Sequence, residues 1–202
     1  MEFALGLFLS YLIGSFPTAY LVGRVVRGID IRKYGSGNMG ATNVFRVIGK
    51  KWGIVVLLID ILKGALTVSW LPSYFFSKSL GPFASSLFLG LLTIAGHTWT
   101  PWLRFRGGKG VATSAGVFLA LVPPAAFASL GVWAVLFAWK RYVSLASLGT
   151  ALSFPLWVAC FHGRSESFPL LLAVSLLIPI FIFYTHRENI KRLREGTERR
   201  LL

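Results

Sequence analysis

Apolar runs along the chain alternate with short polar stretches rich in glycine or basic residues. The runs cover about 3 to 23, 53 to 76, 82 to 97, 110 to 122, 125 to 139, 142 to 161 and 168 to 185. A helix needs roughly 20 apolar residues to cross the hydrocarbon of a bilayer. The pattern therefore predicts an all-α integral membrane protein with seven transmembrane helices. The fourth run is short, extending about 18 Å at 1.5 Å per residue. Pro123-Pro124 separates it from the fifth, and one long helix from 110 to 139 is the competing reading. Proline favours a tight hairpin there, because it lacks an N–H and disfavours helix in the residue before it.

Charge discriminates between the two. With seven spans and the N-terminus outside, the seven basic residues of 24–52, the three of 97–110, Lys140, Arg141 and the six after residue 185 all share the cytoplasmic face. Lys78 and Arg164 face outward, and Lys63 lies within a span. A single helix over 110–139 would send Lys140, Arg141 and the tail to the opposite face, so the positive-inside rule selects seven spans with a cytoplasmic C-terminus. Residues 3 to 23 are expected to be a retained span, since Glu2 replaces a basic leader and Arg24 and Arg27 follow the apolar stretch.

Composition agrees with a bilayer environment. Of 202 residues, 55% are hydrophobic, with 17 Phe and 7 Trp, and the mean hydropathy is +0.68. The excess of 21 Lys and Arg over 7 Asp and Glu is absorbed by topology anchoring at an anionic leaflet, so nucleic acid is not required. One cysteine, Cys160, excludes an intrachain disulfide, and no Cys/His spacing suggests a metal site. With no linker, low-complexity segment or long repeat, residues 1-202 read as one helical domain.

Two glycine-rich loops fall on the cytoplasmic side. In the first, SGNMGATNVFRVIG (36–49), the string GSGNMG matches G-x-G-x-x-G, but the βαβ context of a dinucleotide fingerprint is missing. The second, FRGGKGVATSAG (105–116), lacks the order of a P-loop because Gly110 follows Lys109. What remains is physical: glycines let successive N–H groups turn toward one point, and such a nest binds an anion. The helix start after Lys109 adds further N–H groups and a dipole. An ordinary turn is the alternative for either loop taken alone.

Asp60 and Lys63 share one helical face inside the second span, either as a self-neutralising ion pair or as support for a polar cavity. His186 and Asn189 share a face of the tail, which could equally be a basic interfacial helix. Ser144 and Ser147 lie one turn apart and could bond a ligand or their own backbone. His97 lacks an Asp five residues on, where Trp102 stands, so it does not form the H-x-x-x-x-D pair of common glycerolipid acyltransferases.

The segments GSFPTAYL, SGNMGATNVFR, DILKG, GHTW with FRGGKGVAT, YVSLAS and HRENIKRLREGTE together resemble the bacterial acyl-phosphate:glycerol-3-phosphate acyltransferase family, in family order and over nearly the whole chain. One departure is Thr100 where members often have Pro, with Pro101 one place later. The resemblance implies an enzyme of the bacterial inner membrane, with its active site facing the cytoplasm and no cofactor. It transfers a fatty acyl group from acyl phosphate to the sn-1 hydroxyl of glycerol 3-phosphate, giving lysophosphatidic acid and phosphate, and acts as a monomer. By resemblance, Arg46, Lys109, His186 and Asn189 handle glycerol 3-phosphate. Ser36, Gly37, Asn38, Thr42, Asn43, Gly107, Gly108 and Ser147 handle the acyl phosphate and the reacting centre. Acyl phosphate carries a good leaving group, so direct attack by the glycerol hydroxyl is expected, with its proton passing to the phosphate or to His186. No nucleophile–base pair is apparent for an acyl-enzyme. A transporter of phosphorylated metabolites is the rival reading.

Overall fold

Pro17 interrupts the first apolar run, since its ring removes an N–H and clashes with the carbonyl one turn back. Helix α1 spans Glu2–Ser15 and α2 resumes at Thr18–Arg27. Inside a membrane such a break is tolerated when other groups take up the freed carbonyls. Thr100 Oγ1 donates to the Ser15 carbonyl at 2.7 Å, and Lys63 Nζ to the Phe16 carbonyl at 3.4 Å.

This computed structural model describes residues 2–201, with no strand among them, and divides after Leu121 into two compact units. The first unit continues with α3 (Ala41–Val47), α4 (Lys50–Trp70), α5 (Gly81–Thr98) and α6 (Val111–Leu121). Short 3-10 turns sit at Ile31–Lys33 and Pro101–Leu103. Its closest helix pairs are α1 with α5 and α4 with α6. Small residues permit this, as expected where lipid gives no hydrophobic drive and packing must hold helices together. A Cβ on Gly14 would strike the Thr93 carbonyl, and one on Gly116 the Ile61 carbonyl. Ala19, Ile31, Val44, Ile48 and Val56 form a buried apolar cluster that ties the first glycine loop to α4.

The second unit contains α7 (Pro123–Lys140), α8 (Val143–His162), α9 (Phe168–Thr185) and α10 (Arg187–Arg194). Val122 is non-helical, at φ −141° and ψ 63°, so a continuous helix over 110–139 is ruled out. All seven apolar runs are helical, the first in two pieces. Taken together, Glu2–Arg27 form one of four helical stretches among the described residues long and apolar enough to cross a membrane; the others are Lys50–Ser73, Val143–His162 and Phe168–Thr185.

Beyond α10 the chain turns back on its own unit. Leu201 N donates to the Arg141 carbonyl at 3.0 Å. The Glu198 carboxylate accepts from Ser144 Oγ at 2.8 Å, Asn189 Nδ2 at 2.6 Å and Arg192 Nε at 2.7 Å. Burial pushes this carboxyl up, but the hydrogen bonds from Arg192, Asn189 and Ser144 outweigh it and hold it below its ordinary value.

Two outcomes are expected from this packing. Gly116→Val forces α6 away from α4 and lowers the unfolding free energy by about 1–3 kcal/mol, read as a lower Tm in detergent. Glu198 has a folded-state pKa below its unfolded one, so its stabilisation is present above the ordinary carboxylate range and is lost as pH falls through the folded value. Glu198→Gln should therefore be less stable than the parent at neutral pH, by about 1–3 kcal/mol, and the difference should shrink on acidification. Unfolding curves recorded across the acid range check the sign.

Candidate active site

The first glycine loop is fixed from both ends. Asp30 caps the 3-10 turn by accepting from Arg32 N, and it pairs with the Arg32 guanidinium at 2.7 Å. That side-chain hydrogen bond from Arg32 is the main reason the Asp30 carboxyl lies at about 2. Buried Asn43 staples the loop itself. Its Oδ1 accepts from Ser36 N at 2.9 Å, while its Nδ2 donates to the Ile31 and Tyr34 carbonyls. Gly37 N donates to the Tyr34 carbonyl at 3.0 Å. Asn43, expected to touch substrate, thus spends its amide on shaping the loop, and the Ser36 and Gly37 amides are engaged as well. Ser36 and Gly37 remain exposed, with Asn38, Thr42 and Arg46 half-buried beside them.

The second loop shows the same economy of donors. Arg104 and Phe105 adopt φ of 57° and 58° in succession, a costly conformation for side-chain-bearing residues that recurs at ligand clamps. Gly107 N then donates to the Thr98 carbonyl at 2.9 Å and Gly108 N to the His97 carbonyl at 3.0 Å. The expectation that these two amides form an open anion nest is corrected: both pair with the end of α5. Glycine is needed for close approach, because a Cβ at Gly107 would strike the His97 carbonyl, and one at Gly108 would strike His97 Nε2 and crowd the Met39 carbonyl at 2.9 Å. The two loops consequently meet at Met39 and Gly108. Lys109 follows, half-buried, at the start of α6.

Beneath this junction lies a buried polar network that the sequence pattern left in pieces. Lys63 Nζ pairs with Asp60 Oδ1 at 2.8 Å and lies 2.9 Å from His97 Nδ1. Thr18 Oγ1 donates to Asp60 Oδ1 at 3.1 Å. A small cleft opens over the network, lined by residues that include Phe16, Pro17, Thr18, Met39, His97 and Gly108. Asp60 and Lys63 were foreseen as a pair. Thr18 and His97 join them without a motif to announce it, since the one pattern that would mark His97, an aspartate five residues on, is missing. The usable signal is that an acid and a lysine in one apolar run and a histidine at the end of the next are polar groups that need partners in lipid.

In the second unit, His186 and Asn189 are both buried, at 3% and 7% exposure, which a freely solvated basic helix would not require. His186 interrupts the chain between α9 and α10 and places Nδ1 2.9 Å from the Ile182 carbonyl. A carbonyl only accepts, so Nδ1 carries the proton and Nε2 is the basic nitrogen of the neutral ring. Asn189 is oriented by Glu198. Ser147, expected at the reacting centre, donates to the Val143 carbonyl at 2.8 Å; its neighbour Ser144 serves Glu198.

Comparison with known proteins places this geometry. The family profile described as Glycerol-3-phosphate acyltransferase matches residues 4–196. A Glycerol-3-phosphate acyltransferase of Prochlorococcus marinus (strain NATL1A) is 45% identical over 196 residues, covering 96% of each chain. One from Geobacter sulfurreducens is 43% identical, covering 95% of this chain and 93% of the relative. The crystal structure of PlsY (YgiH), an integral membrane glycerol 3-phosphate acyltransferase, in its glycerol 3-phosphate form superposes with a TM-score of 0.86 at 38% identity, covering 99% of this chain and 96% of that one. Its lysophosphatidic acid form gives a TM-score of 0.82 at the same identity, over 99% and 95% of the two chains. The chain is an integral membrane acyltransferase and belongs to the glycerol-3-phosphate acyltransferase family.

Proposed function

We propose that this enzyme transfers a fatty acyl group from acyl phosphate to the sn-1 hydroxyl of glycerol 3-phosphate, at the cytoplasmic face of a bacterial inner membrane. The reading takes the chain as one acyltransferase domain over 1-202, a monomer with seven spans, an external N-terminus and a cytoplasmic C-terminus. The one-sided distribution of basic residues supports that orientation. The observation that carries the function is the junction of the two glycine loops at Met39 and Gly108. Half-buried Arg46 lies on α3, which leaves the first loop, and half-buried Lys109 stands two residues before α6, which leaves the second. Both substrates bear phosphate, and cations flanking a shaped loop are what phosphate recognition needs.

Arg46 and Lys109 are assigned to the phosphate of glycerol 3-phosphate, with His186 and Asn189 serving its hydroxyl end. Ser36, Gly37, Asn38 and Thr42 are assigned to the acyl phosphate. Asn43, Gly107, Gly108 and Ser147 contribute by shape, holding the loops and the start of α8. The glycerol hydroxyl attacks the acyl carbon directly, phosphate departs, and the hydroxyl proton goes to that phosphate or to His186 Nε2.

Purified enzyme given acyl phosphate and radiolabelled glycerol 3-phosphate should form lysophosphatidic acid. Uptake into proteoliposomes without chemical change would instead favour a transporter. Arg46→Ala and Lys109→Ala should each raise KM for glycerol 3-phosphate by roughly 10- to 100-fold or abolish activity, the value of a charge-assisted contact; unchanged kinetics in both would remove the assignment. Engineered cysteines at 38 and 189 should both react with an impermeant thiol reagent from the cytoplasmic side, and opposite accessibility would overturn the topology.

A further inference from the structure

The three N–H groups of the Lys63 ammonium have three acceptors: Asp60 Oδ1 at 2.8 Å, His97 Nδ1 at 2.9 Å and the Phe16 carbonyl at 3.4 Å. An ammonium only donates, so His97 Nδ1 must accept, and the neutral ring then carries its proton on Nε2. Asp60 Oδ1 is 3.6 Å from His97 Nδ1, beyond a hydrogen bond, so the carboxylate acts on the ring through Lys63. Nε2 faces Gly108 at the junction of the glycine loops. His97 is 8% exposed, and its bond to Lys63 runs through Nδ1, which leaves Nε2 on the side of the ring that lines the cleft. An oriented donor thus faces a cleft in which a ligand can supply the acceptor.

The surroundings indicate the chemistry of that ligand. Phe16, Pro17 and Met39 give the cleft apolar walls, and the Asp60–Lys63 pair beneath it has no net charge. A phosphate dianion would meet the Asp60 carboxylate with no surplus cation there. An uncharged carbonyl that gains negative charge during reaction, with an alkyl chain attached, suits one neutral donor and apolar walls.

We propose that His97 is a further catalytic residue, whose Nε2–H donates to the carbonyl oxygen of the acyl donor, with Asp60 and Lys63 as the positioning residues that fix its tautomer. This rests on acyl phosphate being the donor. As the glycerol oxygen bonds to the acyl carbon, the bond from that carbon to the phosphate oxygen breaks and takes its electron pair to phosphate. The hydroxyl proton goes to phosphate or His186, and His97 keeps its own proton while steadying the transient oxyanion.

The test compares two uncleavable ligands of equal chain length, a 2-oxoalkylphosphonate that retains the carbonyl and an alkylphosphonate that lacks it. His97→Phe, which keeps ring volume and removes the donor, should weaken binding of the first by about 10-fold and leave the second unchanged. Its kcat should fall about 100- to 1,000-fold, with KM for glycerol 3-phosphate within about twofold of the parent. His97→Gln, which restores an N–H near Nε2, should recover part of the loss. In Lys63→Met, the ¹⁵N shifts of His97 should lose their preference for the Nε2–H tautomer. Equal losses for the two phosphonates, an unchanged kcat or an unchanged tautomer would overturn the inference. Parent enzyme that neither uses acyl phosphate nor binds either phosphonate would sink the donor assignment itself, and the inference with it.

Discussion

The first unit depends on a buried ion pair that cannot be left half made. Asp60 and Lys63 sit on one face of α4 at 2% and 7% exposure, where an unpaired charge costs about 3–5 kcal/mol. Their remaining valences are met from elsewhere: Thr18 from α2, the Phe16 carbonyl from the break after α1, and His97 from α5. The pair thereby dictates where three other elements must lie. A pair alone would have been satisfied in isolation by its own i, i+3 geometry, so the additional partners are what convert neutralisation into positioning.

The proline break and the glycine loops are local irregularities made tolerable by this framework. The break at Pro17 takes two carbonyls out of the helical pattern; Thr100 donates to that of Ser15, and Lys63 joins Thr18 N at that of Phe16. Gly107 and Gly108 press their backbone onto the end of α5, so the second loop is built upon the residue that the ion pair orients. The chain Asp60, Lys63, His97, Gly108, Met39 thus connects a charge deep in α4 with the point where the two loops touch.

Much of this was legible in the amino-acid order, for reasons that differ from element to element. The seven apolar runs became helices because in lipid a backbone must satisfy itself, which leaves little choice of secondary structure. Val122 with Pro123 and Pro124 ended α6 where a proline pair should. What could not be read was how the polar atoms would be spent. A glycine in a loop signals either an open amide or a close approach, and only the positions of the Thr98 and His97 carbonyls decide for the latter. Asn43 and Ser147 likewise carry groups suited to a ligand, yet their nearest partners are backbone carbonyls and amides that sequence spacing does not reveal. His97 was overlooked for the opposite reason: its partner lies 34 residues away on another helix, outside any motif.

Lys63 has one more consequence. Its ammonium is tetrahedral about nitrogen, and the three acceptors around it, a carboxylate, an imidazole and a peptide oxygen, come from separate stretches of chain. A flat guanidinium spreads its donors in one plane and is larger, so it cannot meet those three directions at once. At the membrane surface, where basic residues serve chiefly as anchors, lysine and arginine are near equivalents. Within α4 they are not, and the exchange usually counted as the mildest available to a basic residue is closed here by shape alone.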